Sequence, residues 1–285
     1  MGNIVNAVQH VRRMRGGAQA HLMRASDNTF WVVKFKNNPQ SLKVLANEML
    51  ATRLGQWLGL PMPQVEIIEV SEWLIENTPE LNITTASSEM RCSSGKQLAS
   101  RYPDEPTVFD YLPESLLMKV ANLKDFSRIM VLDKWAANAD GRQAVFRKKP
   151  RERRYTAMFI DQGYCLNAGE WTFPDTALRG VYGRNCVYQH VTGWDAFEPA
   201  LTKAEDADSI DIWRCADPIP PEWYDYDINA LEQVVETLYK RRTKIRELIE
   251  AFRNSSRNPF PNWREPGQSG RCGSSSCFCE PPPNG

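Results

Sequence analysis

The chain has 285 residues, with 35 Lys and Arg against 35 Asp and Glu, so its formal net charge is zero. That balance excludes a broad basic field for nucleic acid or anionic membrane. A composition 42% hydrophobic and 10% aromatic excludes a disordered chain, and no stretch reaches the roughly 18 apolar residues of a membrane span.

The first residues, MGNIVNAVQHVRRMRGG, lack the apolar run of a secretion signal. Asn6 stands where a myristoylation signal wants Ser or Thr. Val5 to Arg13 reads as a strand or a short helix. Ala20 to Arg24 and Phe30 to Phe35 read as a hairpin, joined by turn chemistry at Ala25-Ser26-Asp27-Asn28. Leu42, Leu45, Ala46, Met49, Leu50, Leu54, Trp57 and Leu58 recur at helical spacing. This predicts a helix over 42–58, capped by Ser41 and stopped by Gly59 and Pro61. Glu48 falls off its apolar stripe and is expected to face solvent or a cleft. Val65 to Val70 reads as a strand.

Residues 71–107 show little periodicity and much Ser, Thr, Pro and Gly, and are expected to be an irregular connection between two lobes. Helical patterning resumes near Phe109 and runs to Trp135. Two short strands follow, Ala144–Arg147 and Tyr155–Ile160, with the basic turn Lys148 to Arg154 between them. A last helix is expected from Ile228 to Phe252, with Trp171, Trp194, Trp213 and Trp223 packing this part of the chain. A polar, Ser- and Pro-rich tail is expected to be disordered from 253 onward.

Three features carry chemistry. The first is Asn138-Ala139-Asp140-Gly141-Arg142-Gln143, then the hairpin, then Ile160-Asp161-Gln162-Gly163. A hairpin returns the chain to its starting end, so Asp140 and Asp161 should be neighbours. Paired carboxylates with an amide suit Mg²⁺, and one of them can accept a hydroxyl proton in phosphoryl transfer. On spacing alone, both segments also read as ordinary turns. The second is Arg15-Gly16-Gly17-Ala18-Gln19 between two strands, either a phosphate-cradling loop or a tight bend. It is not a Walker A loop, since no Gly-Lys-Ser/Thr follows. The third is Lys34 in an apolar strand, either a phosphate-binding cation paired with Glu48 or an edge-strand Lys reaching water.

Gly-rich loop, strand Lys, helix Glu, Asp before a hairpin and Asp-x-Gly after it occur in the order of a protein-kinase-like fold. Over roughly residues 12–170 the chain resembles the HipA-like kinases, and more loosely the phosphatidylinositol-kinase-like branch. The likeness rests on Gly17-Ala18-Gln19, Trp31-Val32-Val33-Lys34-Phe35, Asn47-Glu48, Gly59-Leu60-Pro61-Met62-Pro63, Asn138-Ala139-Asp140-Gly141 and Ile160-Asp161. It implies an α+β, two-lobed fold, with a small β-rich N-lobe holding one main helix (1–107) and a larger, mostly helical C-lobe (108–252). It implies ATP and Mg²⁺ as cofactors, a serine or threonine of a protein as acceptor, and a cytoplasmic, toxin-like or regulatory kinase with a partner or antitoxin protein. Asp140 would be the catalytic base and Lys34 would contact the α- and β-phosphates with Glu48 behind it. Gly16, Gly17, Ala18 and Gln19 would cover the phosphates, and Phe109–Leu112 would neighbour the adenine hinge. Asp161 would hold the metal.

Four departures stand out. Val145 occupies the place of the family's second metal-ligand Asn, leaving Gln143 or Asn138 as substitutes. Asp161-Gln162-Gly163 replaces Asp-Phe-Gly. Arg15-Gly16 stands where the best-known members carry a phosphorylatable Ser, and the region after about 175 is shorter than in the family's full-length toxins. The alternatives are a small-molecule or lipid kinase of the same fold, or a nucleotide-binding pseudokinase serving as an interaction module, which Val145 favours. The basic turn reads as a solvated hairpin tip or as a dock for an acidic or nucleic-acid substrate; nucleic acid is otherwise not expected as a partner, nor is a membrane. Seven cysteines, four of them scattered (Cys92, Cys165, Cys186, Cys215), read as reduced thiols. Cys272, Cys277 and Cys279 lack a fourth ligand for structural zinc. His10, His21 and His190 read as structural or surface residues.

Overall fold

In the computed structural model, which describes residues 5–85, 88–105 and 107–264, the first lobe is a closed barrel. Its strands are β1 (Val5–Arg13), β2 (His21–Ala25), β3 (Phe30–Lys34), β4 (Val65–Val70) and a strand at Gly95–Arg101. Two short strands precede that last one, β5 (Asn82–Thr84) and β6 (Glu89–Arg91), so it is β7. The barrel order is β1-β2-β3-β7-β4, closed by a parallel pairing of Val5 with Ile68 and Asn6 with Glu69. Val5–Arg13 is therefore a strand, the first of the two readings its sequence allows.

Strand alternation sorts the side chains into two layers. Met23, Trp31, Val33, Phe35, Ile68, Val70 and Ala99 form the barrel's own core. The register sets Leu22 opposite Val32, Val32 opposite Ser100 and Lys34 opposite Leu98. These residues share the outer face, against which α1 (Val44–Trp57) packs. Lys43 and not Ser41 occupies the N-cap of α1, and no side chain caps it. Ser41 Oγ accepts from the Lys43 N–H instead. Gly59 ends the helix as expected, in a left-handed conformation (φ 79°) with its N–H donating to the Gln56 carbonyl.

The segment 71–107 is not an irregular connection. It holds α2 (Glu72–Glu76), the β5–β6 hairpin and β7, which lies between β3 and β4 in the barrel. β7 escapes a periodicity reading because its buried positions include Gln97. The Gln97 amide is fully used: Oε1 accepts from Lys36 N–H, and Nε2 donates to the Ser93 and Ser94 carbonyls.

The second lobe begins with β8 (Thr107–Phe109), α3 (Glu114–Leu117) and α4 (Asp125–Trp135). β9 (Gln143–Lys148) and β10 (Thr156–Ile160) form the expected hairpin and, with β8, a three-stranded sheet. α5 (Ala200–Glu205), α6 (Ser209–Ala216), α7 (Ile228–Arg241) and α8 (Ile245–Arg253) follow. The single helix expected over 228–252 is two, parted by a 3-10 turn at Arg242–Lys244. Phe126, Trp135, Phe146, Phe159, Leu238, Ile249 and Phe252 belong to a core that also takes in α1. The barrel and the helical lobe make a two-lobed α+β fold.

The polar run after 253 does not leave the body at once. Phe260 is buried, with its ring packed against those of Tyr188, Phe197, Phe252 and Trp263. The remaining tail, with Cys272, Cys277 and Cys279, lies outside the described residues. Trp223 is buried and joins the lobes by donating to the Lys96 carbonyl. Trp213 is 38% exposed, contrary to the expectation that it packs. No described helix is long and apolar enough to cross a membrane.

Candidate active site

The Gly-rich loop joins β1 to β2, where Arg13 pairs with His21 and His21 with Val33. The loop thus rises from the same end of the sheet as Lys34. Gly16 takes a φ of 119°, a conformation that glycine adopts without cost. A Cβ at Gly17 would lie 2.9 Å from Gln40 Nε2, and Asn38 Nδ2 donates to the Ala18 carbonyl. Gln19 turns away toward the β5–β6 hairpin: its Nε2 donates to the Thr84 carbonyl and its Oε1 accepts from the Thr84 N–H and from Arg13. Gln19 is a brace for the loop, and its side chain is engaged away from Gly16, Gly17 and Ala18.

Lys34 Nζ donates to Glu48 Oε2 and to Asp161 Oδ1, each at 2.8 Å. Burial works against its charge, but the two carboxylates more than offset that and hold the ammonium protonated. Glu48 is buried; it faces neither solvent nor an open cleft but fills the space between α1 and β3. Its neighbour Asn47 pins the chain beyond Asp161, donating to the Gly163 and Ala168 carbonyls and accepting from Trp171 Nε1. Gly163 fits against α1 because a Cβ there would sit 2.8 Å from Val44 Cγ2.

Asp161 adopts a left-handed φ of 62° at the end of β10, and its side chain is 31% exposed. Burial pushes its carboxyl up, but Lys34 outweighs this, with help from Arg142 and a Gln143 hydrogen bond, and holds it below the usual carboxylate range. Asp140 is exposed, and its Oδ1 accepts from the Gly141 N–H. Gln143 lies opposite Ile160 in the hairpin register. Its Nε2 is 3.4 Å from Asp140 Oδ2, and it also hydrogen-bonds the Asp161 carboxylate. One amide therefore touches both acids, which the hairpin has brought together.

The other two candidates near the acids are placed differently. Asn138 is buried; its Oδ1 accepts from the Asp140 N–H and its Nδ2 donates to Asp133, so it is scaffold for the Asp140 loop. Val145 is buried in β9 opposite Met158. The residues present fit a hard cation bridged to phosphate: Asp161 is ionised and part-exposed, and Asp140 and Gln143 add oxygens at the same mouth. No group of three or more His, Cys, Asp or Glu suited to a metal occurs among the described residues, so the metal's remaining ligands would be phosphate and water.

The chain crosses from β7 to the second lobe through Tyr102–Glu105, earlier than the Phe109–Leu112 expected. These residues, with Leu22, Phe30 and Val108, line a cavity of about 470 Å³. Phe109 is exposed in β8. The basic turn at 148–154 is the far tip of the hairpin, roughly 17 Å from Gln143 at 3.4 Å per residue. His10 and His21 hydrogen-bond one another in the barrel, and His190 contacts Ser127. Cys92, Cys165, Cys186 and Cys215 are free thiols.

The HipA-like kinase family matches the chain over residues 7–148, a span holding the loop, Lys34, Glu48, Asp140 and Gln143. Over that span the chain is similar to the HipA-like kinases. The fold agrees. Hydra Fam20 with sugar superposes with a TM-score of 0.57 at 11% identity, over 89% of this chain and 88% of that one. The Golgi casein kinase gives 0.52 at 12% identity, over 89% and 73%. The Helicobacter pylori proinflammatory kinase CtkA gives 0.51 at 12% identity, over 85% and 99%. No curated protein matches in sequence. Family and fold make this HipA-like chain a kinase-type phosphotransferase with a two-lobed kinase-like fold.

Sequence reasoning missed Asp133 and the role of Arg142. Asp133 lies among apolar residues of α4, where nothing distinguishes a buried acid from a surface one. Arg142 follows Asp-Gly and reads as a turn residue.

Proposed function

We propose that the chain is an ATP- and Mg²⁺-dependent kinase that transfers the γ-phosphate to a protein hydroxyl. The observation that carries this reading is Lys34 bonded at once to Glu48 and Asp161, with Asp140 exposed beside them. The nucleotide supplies the phosphoryl group, and the metal would neutralise phosphate charge against Asp161 and Gln143.

The chain's own residues then have distinct tasks. The backbone of Gly16 to Ala18 covers phosphates. Lys34 turns its charge from Asp161 to the α- and β-phosphates while Glu48 keeps it in place. The adenine fits the cavity between Leu22 and Tyr102–Glu105. Asp140, exposed and held by Gly141 N–H, accepts the proton of the acceptor hydroxyl.

A second reading has one observation in its favour. Val145 is buried where the family carries a metal-binding Asn, so a nucleotide-binding pseudokinase would look the same in this strand. Incubation with γ-labelled ATP, Mg²⁺ and cell extract, comparing wild type with Asp140→Ala, separates the two. A labelled band made only by wild type supports the protein kinase. Equal labelling overturns it, and labelled small molecules or lipids in the extract would redirect the acceptor class.

A further inference from the structure

Asp133 and Arg142 form an ion pair inside the second lobe, each side chain only 1% exposed. Arg142 Nε donates to Asp133 Oδ2 at 3.0 Å, and Nη2 donates to Asp133 Oδ1. The remaining arm, Nη1, donates to the Ile160 carbonyl at 3.1 Å and to Gln162 Oε1 at 2.6 Å. Ile160 and Gln162 are the two neighbours of Asp161. The guanidinium thus grips the turn on both sides of a residue whose own φ of 62° is strained. Asp133 Oδ1 also accepts from Asn138 Nδ2, and Asn138 Oδ1 accepts from the Asp140 N–H.

A single carboxylate on α4 is therefore tied to both acids of the site. One branch runs through Asn138 to Asp140, and the other through Arg142 to the turn that carries Asp161. Gln162 stands where an Asp-Phe-Gly turn has its aromatic residue: its Oε1 is engaged by Arg142, while its Nε2 is buried without a hydrogen-bond partner. The backbone adds a third tie, since the Arg142 N–H donates to the Val181 carbonyl and the Gly180 N–H to the Asp140 carbonyl.

We propose that Asp133 and Arg142 are positioning residues that fix the Asp140 and Asp161 carboxylates relative to one another, with Gln162 as the latch on the Asp161 side. The proposal rests on the phosphotransferase reading above. A planar five-donor fork can span Asp133, Ile160 and Gln162 together, whereas a Lys ammonium cannot. A purely structural ion pair is different: well-packed apolar residues often replace one without loss of stability. That contrast supplies the test.

The variants are Asp133→Leu/Arg142→Met, Arg142→Lys and Gln162→Leu. Each is followed by thermal melting, by binding of a fluorescent ATP analogue with and without Mn²⁺, and by the split between kcat and KM for transfer. The double variant should melt close to wild type and bind the metal-free analogue within about twofold. Its kcat should fall about 100-fold, and the Mn²⁺ concentration for half-maximal effect should rise about tenfold. Arg142→Lys and Gln162→Leu should show smaller losses of the same kind. A folded double variant with wild-type kcat and Mn²⁺ response overturns the proposal. If the double variant does not fold, wild-type kcat and Mn²⁺ response in both single variants overturn it equally. A wild-type protein that binds no nucleotide in the presence of Mn²⁺ overturns the phosphotransferase reading instead, and this proposal with it.

Discussion

Lys34 and Asp161 are 127 positions apart in the chain, yet 2.8 Å separates Nζ from Oδ1. One belongs to the barrel and the other to the turn after β10, so this ion pair is one of the polar contacts that join the two lobes. Glu48 completes it from α1 at the same distance. The ammonium has two acids within reach, and only Glu48 is fully enclosed. Asp161 is the more accessible of the two partners.

Removing the ammonium strands a buried acid. Lys34→Met should cost about 3–5 kcal/mol, because breaking a buried pair leaves an uncompensated charge. Lys34→Met/Glu48→Leu should recover much of that loss. Urea midpoints of the two variants check this, and equal midpoints would contradict it.

Asp140 is exposed and holds no partner in the core, so Asp140→Ala should change stability by no more than about 0.5 kcal/mol. Phosphoryl transfer should fall about 10²–10⁴-fold, the range for loss of a positioned general base. Nucleotide affinity should stay near wild type. Transfer assays and equilibrium binding on one preparation distinguish these effects.

Gln143→Leu should raise the Mg²⁺ or Mn²⁺ requirement about tenfold or more, since the amide bridges both carboxylates and would contribute to the metal's surroundings. Val145→Asn should not lower that requirement, because position 145 is buried in the hairpin against Met158. Metal titrations of nucleotide binding provide the comparison.

The pH dependence follows from the depressed Asp161 carboxyl. Its folded-state value lies below the unfolded one of about 3.9, so it contributes stability that is complete above that value. The contribution is lost as the pH falls through the folded value. Lys34 is shifted upward, so its contribution holds below about 10.4 and fades only at higher pH. Lys34 and Asp161 should therefore leave stability flat from about pH 5 to 9. Denaturant midpoints at pH 6 and pH 3 should differ more in wild type than in Asp161→Asn.

Phe260 anchors the segment after α8 among four aromatic rings. Phe260→Ala should cost about 3–5 kcal/mol, as for other buried Phe side chains. Truncation after 253 should be at least as damaging.

Much of the site was legible because it is carried by residue types with few other uses in their setting. A Lys inside Trp-Val-Val-Lys-Phe calls for an acid or an edge that reaches water, and two Asp residues flanking a hairpin share one end of it. The helix that carries Glu48 was legible too, but Glu48's burial was not. Periodicity ranks positions by apolarity, and Glu48 is enclosed because Lys34 compensates its charge. Gln97 hid β7 in the same way, since its amide is satisfied by backbone groups that no pattern in the sequence announces.

The sequence by itself determined which chemistry the chain can offer: the glycine loop, the ammonium, the two carboxylates and the order in which they occur. Local rules govern these, through turn chemistry, strand alternation and hairpin return. Only the tertiary structure decided how they are held. Lys34 is joined to Asp161, Asn47 to the Gly163 and Ala168 carbonyls and Gln19 to Thr84 by contacts between distant parts of the chain, and Asp133 to Arg142 across the bend between α4 and β9. A buried polar group is stable only when its partner arrives, and which partner arrives is fixed by packing within each lobe and between the two.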